Sequence, residues 1–399
     1  MIVFVVNMHA CVTYSHVGDW YMMSEPEPTL AAKVPFIVWQ GMLQSFFMGL
    51  LFFVSAYFAS GSIARRGPGG FARERLVRLG LPALFYMLVI HPFILLGLNP
   101  WHHDFGPPAA FYAHYLTSGR FLGSSGPLWF VVALLLFSLA LAAWTRLRPL
   151  PPPAAAPGGA PPSAKVLVGF ALALGVGSFA VRLVQPIGTN ILNLQLCFFV
   201  QYIAWFAAGL HAARHGWLVP LATSSRARRS GWLALIGGAV AMLALLAASA
   251  REAPPEVFFG GAHWQAFGLA LIGGAIAMLA LLATGGRHAP VEVFFGGAHW
   301  QAFGLAVWEQ LTGLGLALGA LALFARRLNT DSRALRWLAD RSFGVYVLHA
   351  PMLVALAMAF RPLPYHLYGL VVLLTVTGLV ISFVLADLAR RTPGLRAIV

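Results

Sequence analysis

Charge is what this sequence has least of. Of 399 residues, 12 are Asp or Glu and 26 are Lys or Arg, a tenth of the chain, against 59% apolar. That composition excludes an ordinary soluble domain, and apolar runs near the length of a bilayer crossing recur along the chain. The shortage of acids leaves a formal net charge of +14. In a soluble protein this excess would suggest nucleic acid. Here the arginines gather in short loops between apolar runs, where they set membrane orientation, and nucleic acid is not an expected partner. Cysteine is nearly absent, and Cys11 and Cys197 both fall within apolar runs, which supports neither a disulfide framework nor a metal site and leaves both as packing residues. The first segment lacks the basic start and small-residue cleavage site of a signal peptide, so it is expected to stay as a membrane helix.

What is present is an all-α polytopic pattern. Spans are read at about 1–17, 35–59, 79–97, 126–144, 165–184 and 191–211, then at about 232–250, 263–284, 301–324 and 366–388. Between the second and third lies the densest charge: Arg65, Arg66, Arg73, Arg75 and Arg78 against Glu74. Arg75 and Arg78 are three apart and share a helical face, where two guanidinium forks suit phosphates. A basic cytoplasmic loop is also what any polytopic protein carries to fix its orientation, and both readings stand. The loops near 145–165 and 213–230 are basic in the same way, and the Pro/Ala-rich segment 149–164 reads as a cytoplasmic linker of too low complexity to pack. The weakly basic loop 98–125 falls on the other side. Its His102, His103 and Asp104 are adjacent and lack further ligands at a supporting spacing, so a solvated loop is expected there, with no metal.

Polar residues inside spans are the candidates for chemistry. His9, Thr13 and His16 share a face of the first helix, His9 the deepest, while His16 adjoins Asp19, Trp20 and Tyr21 and reads as part of an interfacial aromatic belt. Glu309 lies in an apolar helix and needs a partner, a proton or a cavity; Gly315 and Gly319 follow it at the spacing of close helix contact. Ser342, Tyr346 and His349 share another face. Residues 235–270 recur as 271–306 with 30 of 36 positions identical, a tandem duplication that adds one apolar helix. One added crossing would invert everything after it and misplace the basic segment 326–341, so the 263–284 copy is expected not to span, the 301–324 copy keeping the native slot.

In this order, the motifs resemble the membrane acyltransferase 3 family, and within it the glucan biosynthesis protein C-like branch. They are His9 in an apolar run, Phe52-Phe53-Val54-Ser55-Ala56-Tyr57-Phe58, Arg75 and Arg78 before Leu79-Gly80-Leu81-Pro82, Pro127-Leu128-Trp129-Phe130, Trp308-Glu309, and Ser342 with Tyr346 and His349. The resemblance covers nearly the whole chain and implies a single domain, 1–399, of about ten spans plus the duplicated helix. It also implies a bacterial inner membrane with both termini cytoplasmic, and transfer of an acetyl- or succinyl-like group from acyl-coenzyme A to a hydroxyl of an extracytoplasmic glycan. No bound cofactor is implied, acyl-coenzyme A being a co-substrate. His9 matches the family's essential histidine, and Arg75 and Arg78 match its arginine pair. The family's partner arginine for that histidine would precede Met1, so the chain is expected to begin downstream of it.

An unperturbed imidazole titrates at about pH 6.5, so a neutral His9 is suited to take the proton of an attacking hydroxyl. Arg75 and Arg78 would hold the donor's phosphates, and Glu309 would orient His9 or bind acceptor. Trp129, Tyr346 and His349 are the candidate pocket residues. The competing class is a glycan transporter with buried His and Glu as a proton relay, although a direct, adjacent repeat is not the inverted symmetry of transporters.

Overall fold

Inside a bilayer the backbone must satisfy its own hydrogen bonds, and this chain does so with helices. The computed structural model describes residues 1–98, 107–154, 158–252, 297–298, 300–330 and 332–394. The duplicated 263–284 helix lies outside the described residues, as do His102, His103 and Asp104. The helices are α1 (Ile2–Ser15), α2 (Leu30–Arg75), α3 (Pro108–Thr117), α4 (Trp129–Leu147), α5 (Ala164–Arg182) and α6 (Phe199–His215). They are followed by α7 (Leu218–Thr223), α8 (Ser225–Glu252), α9 (Trp300–Leu323), α10 (Arg333–Ala359) and α11 (Leu367–Arg391). Among the described residues 7 helical stretches are long and apolar enough to cross a membrane.

One of those stretches runs from Pro35 to Leu98 and folds back on itself. Gly67, at φ 68° and ψ 168°, is non-helical within α2, a conformation that a residue without Cβ adopts readily, and Pro68 follows it. Ser62 donates to Glu74 at 3.3 Å, whereas a straight helix would separate them by about 18 Å. Two crossings therefore meet at the arginines. The second limb continues to Leu98 through π-helical turns at Leu76–Gly80, Tyr86–Ile90 and Ile94–Leu98. The first two immediately precede the short segments holding Pro82 and Pro92. A proline has no N–H and its ring crowds the carbonyls behind it, which a widened turn relieves. Near Pro92 the spare capacity is taken from outside: Tyr115 donates to the Met87 carbonyl at 2.6 Å and Tyr112 to Leu88 at 2.9 Å. The described part of loop 98–125 thus carries helix α3, docked on this limb through Tyr112 and Tyr115 and otherwise mostly exposed.

Helix α2 is the central element, packed against α6, α9 and α4. Helices α10 and α11 pair with each other and with α1, while α8 pairs with α9. Small residues permit the close approaches. A Cβ on Gly319 of α9 would lie 2.4 Å from the Gly231 Cα of α8, as the Gly315 and Gly319 spacing anticipates. Phe52 is fully buried, its ring 4.7 Å from Phe130 and 4.9 Å from Tyr202, which ties α2 to α4 and α6. The Pro/Ala linker does pack: Ala154 and Gly158 donate backbone N–H groups to the Ala213 and Gly216 carbonyls. Its prolines leave few such donors, and the end of α6 supplies acceptors for these two.

Candidate active site

Two polar pockets lie toward opposite ends of α2. The first is a cavity of about 530 Å³ bordered by residues that include His9, Trp20, Gln44, Trp129, Asn193 and Tyr202. His9 projects from α1, and Trp20 stacks on its ring at 4.0 Å with 24° between planes. His9 Nδ1 lies 3.2 Å from His349 Nε2, and His349 Nδ1 lies 2.7 Å from the Tyr346 carbonyl of its own helix α10. Thr13 donates to the His9 carbonyl at 2.9 Å, so this part of the α1 stripe is structural. His16 leaves the helix in a left-handed conformation, φ 58°, and its ring lies 2.7 Å from the Ser24 carbonyl.

The cavity wall is built from a loop and two helix starts. Tyr21 lies 2.7 Å from His91 Nδ1 and 3.1 Å from the Tyr86 hydroxyl, pinning the α1–α2 connection to the second limb. Burial raises the Tyr21 phenol above its ordinary range, so it stays protonated and available as a donor. Asn193, left-handed at φ 64°, donates to Ser125 Oγ at 2.9 Å and to the Gly126 carbonyl at 2.8 Å. This closes the α5–α6 loop onto the start of α4, where Trp129 stacks on Tyr202 at 5.6 Å. The result is an aromatic-walled cavity bordered by the imidazoles of His9 and His91, suited to a ligand carrying both hydroxyls and apolar faces.

The second pocket, about 340 Å³, is bordered by Tyr57, Arg65, Arg66, Glu74, Arg75 and Arg78, with Pro153 and Ala154 of the linker closing one side. Both predicted arginines border it. Glu74 bonds Arg66 at 2.8 Å and Arg78 at 3.1 Å. Arg75 lies over the Phe71 ring at 4.9 Å, and its Nε is buried with no partner among the described residues. A guanidinium with donors unused, flanked by further arginines, is an anion site by charge and geometry.

Of the predicted residues the structure brings together His9 and His349 at one end and Arg75 with Arg78 at the other. Trp129 borders the cavity. Tyr346 and His349 stand behind it: Tyr346 donates to the Pro127 carbonyl, and His349 is fully buried. Ser342 bonds the Leu338 carbonyl of its own helix. Glu309 is the correction. It does not reach His9; Glu309 Oε2 accepts from Arg182 Nη2 at 2.5 Å, with Arg182 0% and Glu309 7% exposed. An acid buried among apolar helices needs a cation, and Arg182 at the end of α5 supplies it. The signal was present, since Arg182 is itself an ionisable residue in a span. The polar sequence neighbours of Trp20 point to the membrane interface; the turn after α1 instead folds it back on His9.

None of the curated proteins matches the chain, and neither does any solved structure. The model of the acyltransferase 3 family, described as an acyltransferase domain, matches residues 1–388, a stretch that takes in both pockets. The chain belongs to that family, and is a multi-pass membrane acyltransferase with a carbohydrate-type acceptor.

Proposed function

We propose that the protein moves an acetyl- or succinyl-like group from acyl-coenzyme A to a hydroxyl of an extracytoplasmic glycan, with residues 1–399 acting as one domain. The observation that carries this reading is the pairing of the two pockets through α2. Gln44 borders the histidine cavity and Tyr57 the arginine pocket, and at ~1.5 Å per residue the helix between them is about 20 Å long. A polyanionic donor and a neutral acceptor thus have separate sites, and the donor's extended thioester arm reaches from one toward the other. The arginine-rich end faces the cytoplasm of a bacterial inner membrane, as the positive-inside rule requires.

At the cavity, His9 takes the proton of the attacking hydroxyl, a contribution of about 10²–10⁴-fold. The hydroxyl oxygen bonds to the thioester carbonyl carbon, the C–S bond breaks, and the proton leaves with the thiolate. Trp20, Trp129 and Tyr202 present apolar ring faces to the sugar. The resemblance to the glucan biosynthesis branch favours a glucan acceptor. The test is thiol release by purified protein in nanodiscs given acetyl- or succinyl-coenzyme A. Release that depends on added glycan, with ester appearing on the glycan, is expected. Glycan movement across the bilayer without thiol release would overturn the enzyme reading in favour of a transporter.

A further inference from the structure

For two neutral rings, one arrangement of protons satisfies both the bond between His9 and His349 and that from His349 to its own helix. A carbonyl oxygen accepts and never donates, so the nitrogen of His349 that faces the Tyr346 carbonyl, Nδ1 at 2.7 Å, carries the proton. In the neutral ring Nε2 is then bare and can only accept. It lies 3.2 Å from His9 Nδ1, so His9 donates from Nδ1. The other nitrogen of His9, Nε2, is bare in turn, and His9 borders the cavity whereas His349 does not. Trp20, stacked on His9 at 4.0 Å and lying within 20° of parallel to the His349 ring, holds the His9 plane against the flip that would exchange its nitrogens.

We propose that His349 is a positioning residue that sets the tautomer of His9: a backbone carbonyl fixes the proton on His349 Nδ1, which fixes the proton on His9 Nδ1 and leaves His9 Nε2 as the basic atom. The proposal rests on the reading of His9 as general base. His349 touches no substrate. When the acceptor hydroxyl attacks, its proton passes to His9 Nε2 as the new C–O bond forms. The imidazolium so created already donates Nδ1–H to neutral His349, and Nε2 returns its proton to the departing thiolate as the C–S bond breaks. The relay is a neutral-histidine counterpart of the carboxylate that orients a catalytic imidazole in other enzymes, suited to a buried site where an unpaired carboxylate would be costly.

The experiment compares His349→Gln, whose side-chain oxygen can still accept from His9, with His349→Leu, which cannot, and His349→Lys, which can only donate when charged. Expected are kcat within about tenfold of the parent for Gln and a loss of about 10²-fold or more for Leu and Lys, with KM for acyl-coenzyme A and for glycan unchanged. Nitrogen-15 spectra of imidazole-labelled protein, with the His9 signals assigned by their loss in His9→Asn, should show an unprotonated Nε2 in the parent and tautomer averaging in His349→Leu. Equal kcat for Gln and Leu, a KM effect without a kcat effect, or a protonated His9 Nε2 in the parent would each overturn the proposal. If His9→Asn keeps full activity, the general-base reading fails instead, and the spectra still decide whether His349 sets the tautomer.

Discussion

At His9 the chemistry depends on a ring held between Trp20 of the α1–α2 connection and His349 of α10, with one edge toward a cavity. His9→Ala should abolish acyl transfer, a loss of about 10²-fold or more, while membrane levels stay at those of the parent, because the ring borders a cavity instead of filling the core. His9→Asn should do no better, and near-normal turnover by either variant at matched protein level removes the general base. The arginine pair divides unequally. Glu74 already engages Arg78, whereas Arg75 has an Nε without a partner among the described residues. A hydrogen bond to a charged group contributes about 1.5–3 kcal/mol, which corresponds to roughly tenfold or more in affinity. Arg75→Lys should therefore raise the dissociation constant for acyl-coenzyme A by about tenfold, and Arg78→Lys by less. Unchanged binding in both variants would return the cluster to a purely topological role.

Between elements, the pair formed by Arg182 on α5 and Glu309 on α9 has the largest single consequence. Arg182 also lies 5.3 Å over the Phe198 ring, which borders the histidine cavity, so the pair braces a cavity wall without entering the cavity. Removing one partner strands a charge, at a cost of about 3–5 kcal/mol, whereas replacing both with apolar residues of similar volume is often neutral. Arg182→Met and Glu309→Met should each lower the melting temperature in detergent sharply, and the double variant should recover most of the loss. A double variant as unstable as the sum of the singles would show that the two residues are not energetically coupled. The pair also ties α9 to α5, and α9 packs on α2 as well.

Across the whole molecule, two basic segments meet. Arg228 at the start of α8 and Arg326 and Arg327 after α9 rim one apolar cavity of about 650 Å³. The turn after α9 also packs on α7. This brings the 213–230 and 326–341 segments together, an arrangement the positive-inside rule favours for basic loops on one side of a membrane. Native Cys11 and Cys197 are buried, so introduced cysteines report cleanly. In intact cells Thr330→Cys should resist a membrane-impermeant thiol reagent, while Thr189→Cys, in the α5–α6 loop at the cavity end, should label. Ready labelling at 330 would mean that the tail beyond the duplication is inverted.

Scarce charge and recurring apolar runs determined, without any structure, that this chain is a helical membrane protein, because transfer of charge into hydrocarbon is costly whatever the fold. Local spacing likewise marked the Arg75 and Arg78 face, the Gly319 contact and the two key histidines, since each depends on helical periodicity alone. Tertiary structure decided what could not be periodic. It joined His9 to His349 across 340 positions, turned Trp20 from the interface onto His9, and gave Glu309 to Arg182 instead. An intramembrane acid announces that it needs a partner, but which cation reaches it is settled only when the helices pack, because the partner is a neighbour in space and not in sequence.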